Sequence, residues 1–513
     1  MAVLLAAFVS IVLDWRWITT AMVFVVTCFV SHFYQRVSRY PRGPFPVPLL
    51  GNLLDMRNED LHTKAIEWSK TYGDVFTLWI SHKPMVILNS YDVIREALVK
   101  QKTIFAGRPP SKMRDIQNQG NHDIMFEDYT PYWRALRKAA FLAVRRYAVT
   151  KTPQRLCVRV VDAYVDALKM GPQVVDSKKF FFSMIYKLVG ASMYSASPKN
   201  LIVFCSLDGE EREILRLEEI DHEYYEVSPN GLPSDVAPIL GLLYRESERK
   251  IEALYTEFRE IVHRLFNKAE ESYHAGSDDN IVHALLAARE EAIRERESNA
   301  QYITKANLVQ VVMNLFGGAT DTTASALQWM FIRLAKHPDV QKRIQNEIEE
   351  KIGIDPPVYG DREKLPFTTA CMLETIRCHP FAPIGMPHKA SAETRLGTLA
   401  IPKDASVLFN IYRVNHDPNL WEEPEKFRPD RFLDPATGSL RQDAGPLVSF
   451  SLGTRACPGE KLAHVDIFYI LVRFMQRVSC SAVDDASSVE LNSIGSSLFF
   501  LPAQRDIVLC RRN

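Results

Sequence analysis

One cysteine in a short glycine-bounded loop sets the narrowest limit on this chain: Phe450-Ser451-Leu452-Gly453-Thr454-Arg455-Ala456-Cys457-Pro458-Gly459. After Gly459 the pattern turns helical, with apolar positions through Phe474. Free N–H groups in a helix's first turn, together with its dipole, favour a thiolate there. Gly453 and Gly459 let the backbone approach something flat and large, and Arg455 offers an anion a partner. Taken alone, a cysteine near a helix is more often a buried small hydrophobe.

Other stretches carry matching signals. Lys305 to Lys336 reads as one helix, about 48 Å long. In its middle stands Phe316-Gly317-Gly318-Ala319-Thr320-Asp321-Thr322-Thr323. Glycine inside a helix costs about 1 kcal/mol relative to alanine, so two of them call for a packing or functional reason. The neighbouring Asp and Thr residues can divert backbone hydrogen bonds and open a bulge, or the threonines can bond back to the i−4 carbonyl. Pro131 to Tyr147 reads as a helix with Trp133 and Arg137 on one face. Pro366 to Cys378 reads as another, with Glu374 and Arg377 sharing a face.

Together these stretches resemble the cytochrome P-450 family. Phe450 to Gly459 is similar to its haem-binding loop Phe-x-x-Gly-x-Arg-x-Cys-x-Gly at every fixed position. The resemblance makes Cys457 the axial ligand of haem iron, with Phe450, Gly453, Arg455 and Gly459 shaping the cofactor site. It places Trp133 and Arg137, and His388 after Pro387, on the haem propionates. Gly317 to Thr323 is similar to the oxygen-activation motif, with Ala319 where the family carries glycine, which narrows the groove by one methyl. Thr322 would hydrogen-bond the oxygen being activated, and Asp321 would relay protons from solvent. Glu374 and Arg377 with Arg431, from Phe427-Arg428-Pro429-Asp430-Arg431-Phe432, would form a buried structural network. The implied fold is mainly α with small β-sheets: a triangular helical prism around a long central oxygen-binding helix, plus one N-terminal transmembrane helix.

The N-terminus agrees. Trp17 to Tyr34 holds no Asp, Glu, Lys or Arg over 18 residues, about 27 Å of helix and enough to cross a bilayer. Trp15, Trp17 and Tyr34 sit where interfacial aromatics belong, and Arg36, Arg39 and Arg42 follow as the positive-inside signal. A cleaved signal peptide is the alternative, but no small-residue cleavage site follows the apolar run. Residues 1–34 therefore read as a membrane anchor spanning about 17–34. Residues 35–50 read as a proline-rich hinge, a stiff extended spacer, and 51–513 as the catalytic domain. Residues 2–13, also apolar, either lie in the interface or extend the span.

With 62 basic and 62 acidic residues, the formal charge is zero and nothing points to nucleic acid. Eight scattered cysteines form no C-x-x-C pair, which argues against a zinc or disulfide framework and suits a reducing compartment.

Local patterns predict a helix over 61–72, strands over 75–80 and 85–88 around a turn at Ser81–Pro84, and a helix over 92–100. Residues 106–128 form a long polar loop, a kind often functional. Helices are expected over 208–226 and 240–275, a pair that in the family forms the lid over the substrate channel. Residues 383–387 must be extended, 407–411 a strand, and 498–501 part of a C-terminal hairpin.

The resemblance implies a haem b monooxygenase of the animal microsomal type, similar to the clan of steroid 17α-hydroxylase and the aryl-hydrocarbon-inducible drug-metabolising enzymes. It would sit in the endoplasmic reticulum membrane as a single-pass protein with a cytosolic catalytic domain. One atom of O2 would enter a lipophilic steroid, sterol or xenobiotic aromatic substrate. Electrons would come from NADPH through NADPH–cytochrome P-450 reductase, with cytochrome b5 as a second electron partner. No dinucleotide fingerprint occurs in this chain, so the reductase is a separate protein. Two alternatives keep the fold: an oxygen-independent thiolate-haem isomerase or dehydratase, and a non-catalytic haem-binding membrane protein. Asp321 and Thr322 argue against the first, and Cys457 with its propionate partners against the second.

Overall fold

The computed structural model describes residues 15–56, 60–194, 209–228, 231–237, 240–483, 493–495 and 499–512. The apolar stretch 2–13 lies outside them. The anchor forms a helix, Trp15–Val37, with no acid in its first turn and Arg36 in its last. Most of its Trp17–Val37 stretch is exposed, and Phe33 is its one buried side chain among the described residues, which leaves a large apolar surface uncovered. The helix runs three residues past the expected boundary because its end is docked. Phe33 meets Trp79 edge-on at 5.3 Å, Arg36 lies over the same ring, and Tyr34 stacks on Phe45. The proline segment is equally tied down. Asn52 Nδ2 donates to the Pro44 and Phe45 carbonyls, while Asn52 and Trp79 exchange hydrogen bonds. It is a clamped connection rather than a free spacer.

Trp79 belongs to the first strand of a four-stranded sheet. Val75–Ile80 pairs antiparallel with Lys83–Leu88, which pairs parallel with Ser406–Phe409, and His388–Lys389 closes the far edge. The hairpin turn is tighter than expected. Ile80 pairs with Lys83 and Trp79 with Pro84, leaving Ser81 (φ 57°) and His82 at the tip. Pro84 is tolerated because the parallel partner begins only at Met85, so no ladder needs its missing N–H.

The second body is helical. Lys305–Lys336 lies at its centre, N-capped by Thr304, which accepts from the Asn307 N–H. It packs against Ser177–Tyr194 and against Glu460–Arg477, the helix leaving the cysteine loop. Both flanks are strongly apolar, and one core runs through all three helices. Around them lie Pro131–Ala148, Thr152–Asp166, Ile281–Arg294, Pro338–Lys351 and Pro366–Cys378.

Several expected boundaries move, each for a local reason. The 92–100 helix is α only over Tyr91–Arg95 and widens to a π turn over Glu96–Lys100, beside the cysteine loop. Residues 106–128 contain a helix, Lys112–Asn118, capped by Ser111. The acidic stretch expected to form part of the lid is the helix Gly209–Val227. The 240–275 helix divides into Leu240–Leu243 and Arg245–Glu271, because Tyr244 leaves helical geometry (φ −108°, ψ 23°). The 407–411 strand stops at Phe409, since Asn410 turns to cap Ile411–Asn415 and accepts from the Arg413 N–H at 2.9 Å. Residues 382–385 form a turn closed by the Gly385 N–H on the Ala382 carbonyl, so the extended run begins at Met386. Of the tail, Leu498 lies outside the described residues, and Phe500–Pro502 is the return strand against Ser493–Gly495.

Candidate functional site

The cysteine loop is built on left-handed backbone. Ser451 (φ 64°) and Gly453 (φ 71°) reverse the chain, and a Cβ on Gly453 would collide with the Leu98 carbonyl of the π turn. Only glycine fits there. A single helical turn, Gly453–Arg455, follows, and the Cys457 N–H closes the loop on the Phe450 carbonyl at 2.8 Å. Gly459 sits at the N-cap of Glu460–Arg477, and its carbonyl accepts from the Ala463 N–H. The half-buried Cys457 thiol feels opposing forces. Burial raises its pKa, while the Gly459 and Glu460 N–H groups and the Arg137 charge lower it. Burial wins. The helix-mouth donors are in place, but a cation at sulfur is needed for the thiolate to persist.

Beside this loop is a concentration of buried positive charge. Arg455 donates from Nε to the Ala106 carbonyl and from Nη2 to the Glu127 carbonyl, each at 2.8 Å, and its guanidinium lies 3.9 Å from the Trp133 ring centre. Its Nη1 is buried with no partner among the described residues. Arg137 donates to the Ala456 carbonyl, next to Cys457. Arg108 donates to the Met125 and Pro387 carbonyls at 3.0 and 2.7 Å. His388 Nδ1 lies 2.6 Å from the Phe105 carbonyl, and Trp133 Nε1 donates to the Ile124 carbonyl.

Burial, with Arg108 and Arg137 nearby, pulls Arg455 down to about 8; burial takes Arg108 to about 10 and leaves His388 neutral, well below its usual value. Asp123 and Asp128 lie within electrostatic reach of Arg108 and Arg455, and Asp128 accepts from the Arg108 N–H, but neither forms an ion pair with these guanidinium groups. Asp123 accepts from the Phe126 and Glu127 N–H groups, and Asp128 is paired with Lys389. Two buried guanidinium groups, Arg108 and Arg455, and the half-buried Arg137 fit a doubly carboxylated ligand such as haem b. The structure thus brings Trp133, Arg137, His388 and Arg455 to one region, although Trp133 and Arg137 bond backbone carbonyls. Phe450 supplies the loop-closing carbonyl and packs edge-on against His464 at 5.1 Å. Arg108 was missed as a site residue. The signal was an arginine directly after the apolar Phe105-Ala106-Gly107, where a free surface charge is out of place.

The central helix is unbroken through its glycines, so the expected bulge is absent. Gly317 and Gly318 are exposed in the middle of an otherwise buried helix, and a Cβ on either would meet nothing within 4 Å. Thr322 shares that open face, and its hydroxyl donates to the Gly318 carbonyl at 2.8 Å, the i−4 bond open to a helical threonine. Ala319 is half-buried. Asp321 points elsewhere. It is 7% exposed and accepts from Tyr225 Oη at 2.7 Å and Tyr186 Oη at 3.2 Å. Burial raises its carboxyl. Direct access from solvent is therefore closed.

Glu374, Arg377 and Arg431 form a separate, closed network. Glu374 meets Arg377 at 2.7 Å and Arg431 at 3.1 Å, with all three side chains at most 4% exposed. Remaining guanidinium donors reach the Asn415, Pro424 and Glu422 carbonyls. Burial alone would lower Arg377, but its bonds to Glu374 leave it raised.

Comparison with known proteins concerns the chain as a whole. The family described as Cytochrome P450 matches residues 41–508. The chain is 31% identical over 476 residues to cytochrome P450 1A1 of Sparus aurata, covering 90% of this chain and 89% of the relative. It is 30% identical to cytochrome P450 1A1 of Chelon auratus over 475 residues and to cytochrome P450 1A3 of Oncorhynchus mykiss over 472, with the same coverage.

Proposed function

Because this chain belongs to the cytochrome P450 family, we propose that Cys457 is the axial thiolate of its haem and that Arg455, Arg137, Trp133 and His388, joined by Arg108, hold the propionates. The family makes the protein a monooxygenase, an oxidoreductase using haem b, O2 and NADPH-derived electrons delivered by a reductase. Haem with a thiolate ligand favours O–O cleavage, so that one oxygen atom enters a C–H or C=C bond and the other leaves as water.

The protein's own residues do the rest. Gly317, Gly318 and Thr322 line the open face of the central helix, where the Thr322 hydroxyl can turn from the Gly318 carbonyl to a ligand. Asp321, one residue away, accepts from the Tyr186 and Tyr225 hydroxyls, and burial raises its carboxyl. Phe450, Gly453 and Gly459 fix the loop so that sulfur faces the helix-mouth donors. Glu374, Arg377 and Arg431 hold the structure beneath the loop. The observation that carries this reading is the buried Arg455 Nη1, without a partner among the described residues, within a three-arginine cluster beside Cys457.

The substrate class we infer is a lipophilic aromatic or steroid-like molecule. Tyr225 of the lid helix meets Phe499 of the tail edge-on at 5.9 Å, and Phe499 meets Phe381 at 5.0 Å, an aromatic edge suited to apolar ligands. The resemblance to the clan of aryl-hydrocarbon-inducible drug-metabolising enzymes supports the aromatic option. The anchor helix and the arginines after it support a single-pass placement in the endoplasmic reticulum membrane, catalytic body in the cytosol. The domain limits we propose are anchor, clamped hinge and body, with the helix end moved to Val37. Cytochrome b5 is a candidate second electron partner.

The test is turnover of the full chain in lipid nanodiscs with purified reductase and NADPH. Oxygen-dependent product and a thiolate-type Soret band in the reduced carbonyl complex are expected, and Cys457→Ala should abolish both. Product formed without oxygen, or a thiolate band surviving Cys457→Ala, would overturn the reading. A binding-shift screen of sterols against planar aromatics decides the substrate class.

A further inference from the structure

The lid helix Gly209–Val227 reaches the central helix through an acid pair. Tyr186 Oη, on Ser177–Tyr194, lies 2.6 Å from Asp221 Oδ2 of the lid and 3.2 Å from Asp321 Oδ1 of the central helix. Tyr225, also on the lid, donates its own hydroxyl to Asp321 Oδ2 at 2.7 Å. A phenol carries one hydrogen. It can donate to only one of the two carboxylates, so the second short contact needs a hydrogen from a carboxyl group. Both acids cannot be ionised across a buried tyrosine that is 1% exposed.

We propose that Asp221, Tyr186 and Asp321 share one proton and that the lid helix hands it to the central helix, which makes Asp221 a positioning residue for proton delivery. This rests on the monooxygenase reading above. The step is a concerted double shift. The Asp221 carboxyl O–H breaks and its proton joins the Tyr186 oxygen, while the Tyr186 O–H breaks and its proton joins Asp321. Asp221 ends ionised, Tyr186 unchanged and Asp321 protonated, with no change in total charge.

The surroundings suit this. Burial raises both acids, and the Asp321 charge raises Asp221 further, while the two phenols partly offset the rise at Asp321. Glu218, half-buried one turn before Asp221, is pushed by burial to about 7 and can reload the pair near neutral pH. Lys178 and Lys187 lie within electrostatic reach of Asp321 and Glu218 respectively, and Tyr224 and Tyr255 face Asp221. Since Asp221 and Tyr225 both belong to the lid helix, its withdrawal would remove proton supply and one Asp321 donor together. Proton delivery is thereby tied to a closed lid.

Infrared difference spectra of the resting full chain, wild type minus Asp221→Asn, should show one protonated-carboxyl band that shifts in D2O. Asp321→Asn should remove the same band, because an amide in either place donates to Tyr186 and leaves the other acid ionised. In turnover with reductase, Asp221→Asn and Tyr186→Phe should each lower product formed per NADPH by roughly 10-fold and enlarge the solvent deuterium isotope effect, with haem content and substrate-binding shift unchanged. No such band, a band indifferent to Asp221→Asn, or unchanged coupling and isotope effect in both variants would overturn the proposal. If the wild type makes no product at all, the monooxygenase reading fails, while the infrared result still decides whether the proton is shared.

Discussion

Two groups of buried arginines sit in this fold, and they are built on opposite rules. Around Glu374, two guanidinium groups share one carboxylate and their other bonds go to carbonyls. Around Trp133, three guanidinium groups have carbonyl partners, one donor without a partner among the described residues, and acids within electrostatic reach but not in ion pairs with them. The first group is complete as folded. The second has more cations than acids within reach and no ion pair of its own among the described residues, so it has charge left for a ligand. Buried charge is costly unless paired, so an unbalanced cluster is a site, while a balanced one is a strut.

This contrast can be broken by experiment. The largest effect should come from Glu374→Ala, which leaves Arg377 and Arg431 buried without a counter-charge. A loss of about 3–5 kcal/mol is expected, read by chemical denaturation and as failure to accumulate haem-loaded protein.

Asp466 tests the same rule from the acid side. It is buried, accepts from the Cys157 thiol at 3.5 Å as its one donor among the described residues, and burial pushes its carboxyl up to about 7. Between about pH 4 and 7 the native state keeps a proton that the unfolded chain has released. Stability should therefore fall as pH rises through that window, by at most about 1.4 kcal/mol per unit, and level off above it. Asp466→Asn should flatten the profile in a thermal melt.

Arg455→Leu should separate cofactor binding from folding. Haem affinity should drop roughly 10- to 100-fold, whereas the haem-free protein should be no less stable than wild type, since one uncompensated charge is gone. A haem titration beside a denaturation curve reads both. The smallest effect sharpens the comparison further. Haem with esterified propionates should bind the wild type more weakly than free haem, and this difference should shrink in Arg455→Leu. An undiminished difference would move the anion partner to another residue.

Much of the scaffold was legible from local pattern. The helices at 61–72, 305–336 and 366–378 and the strand at 75–80 lie where periodicity placed them. The misplaced ends share a cause. Asn410 capping a helix, Tyr244 breaking one and Pro84 joining a ladder all depend on what the neighbouring element offers. The site divides similarly. Cys457, Gly453 and Gly459 carry a local signature, because a left-handed turn at a helix mouth needs particular residues at fixed spacing. Arg108 carried only a weak one. Asp221, Tyr186 and Tyr225 carried none, because an acidic amphipathic helix looks the same whether its carboxylates meet solvent or each other.

By itself, then, the amino-acid order determined the apolar anchor, the element types, the cysteine loop and the glycine-weakened central helix. These follow from backbone stereochemistry and side-chain periodicity acting over a few residues. Only the tertiary structure decided which charges are balanced. Arg455 finds carbonyl partners at Ala106 and Glu127, 349 and 328 residues away, and Asp321 finds its phenols 96 and 135 residues away. Desolvation and pairing depend on what surrounds a group in space, and that environment exists only once distant segments have packed.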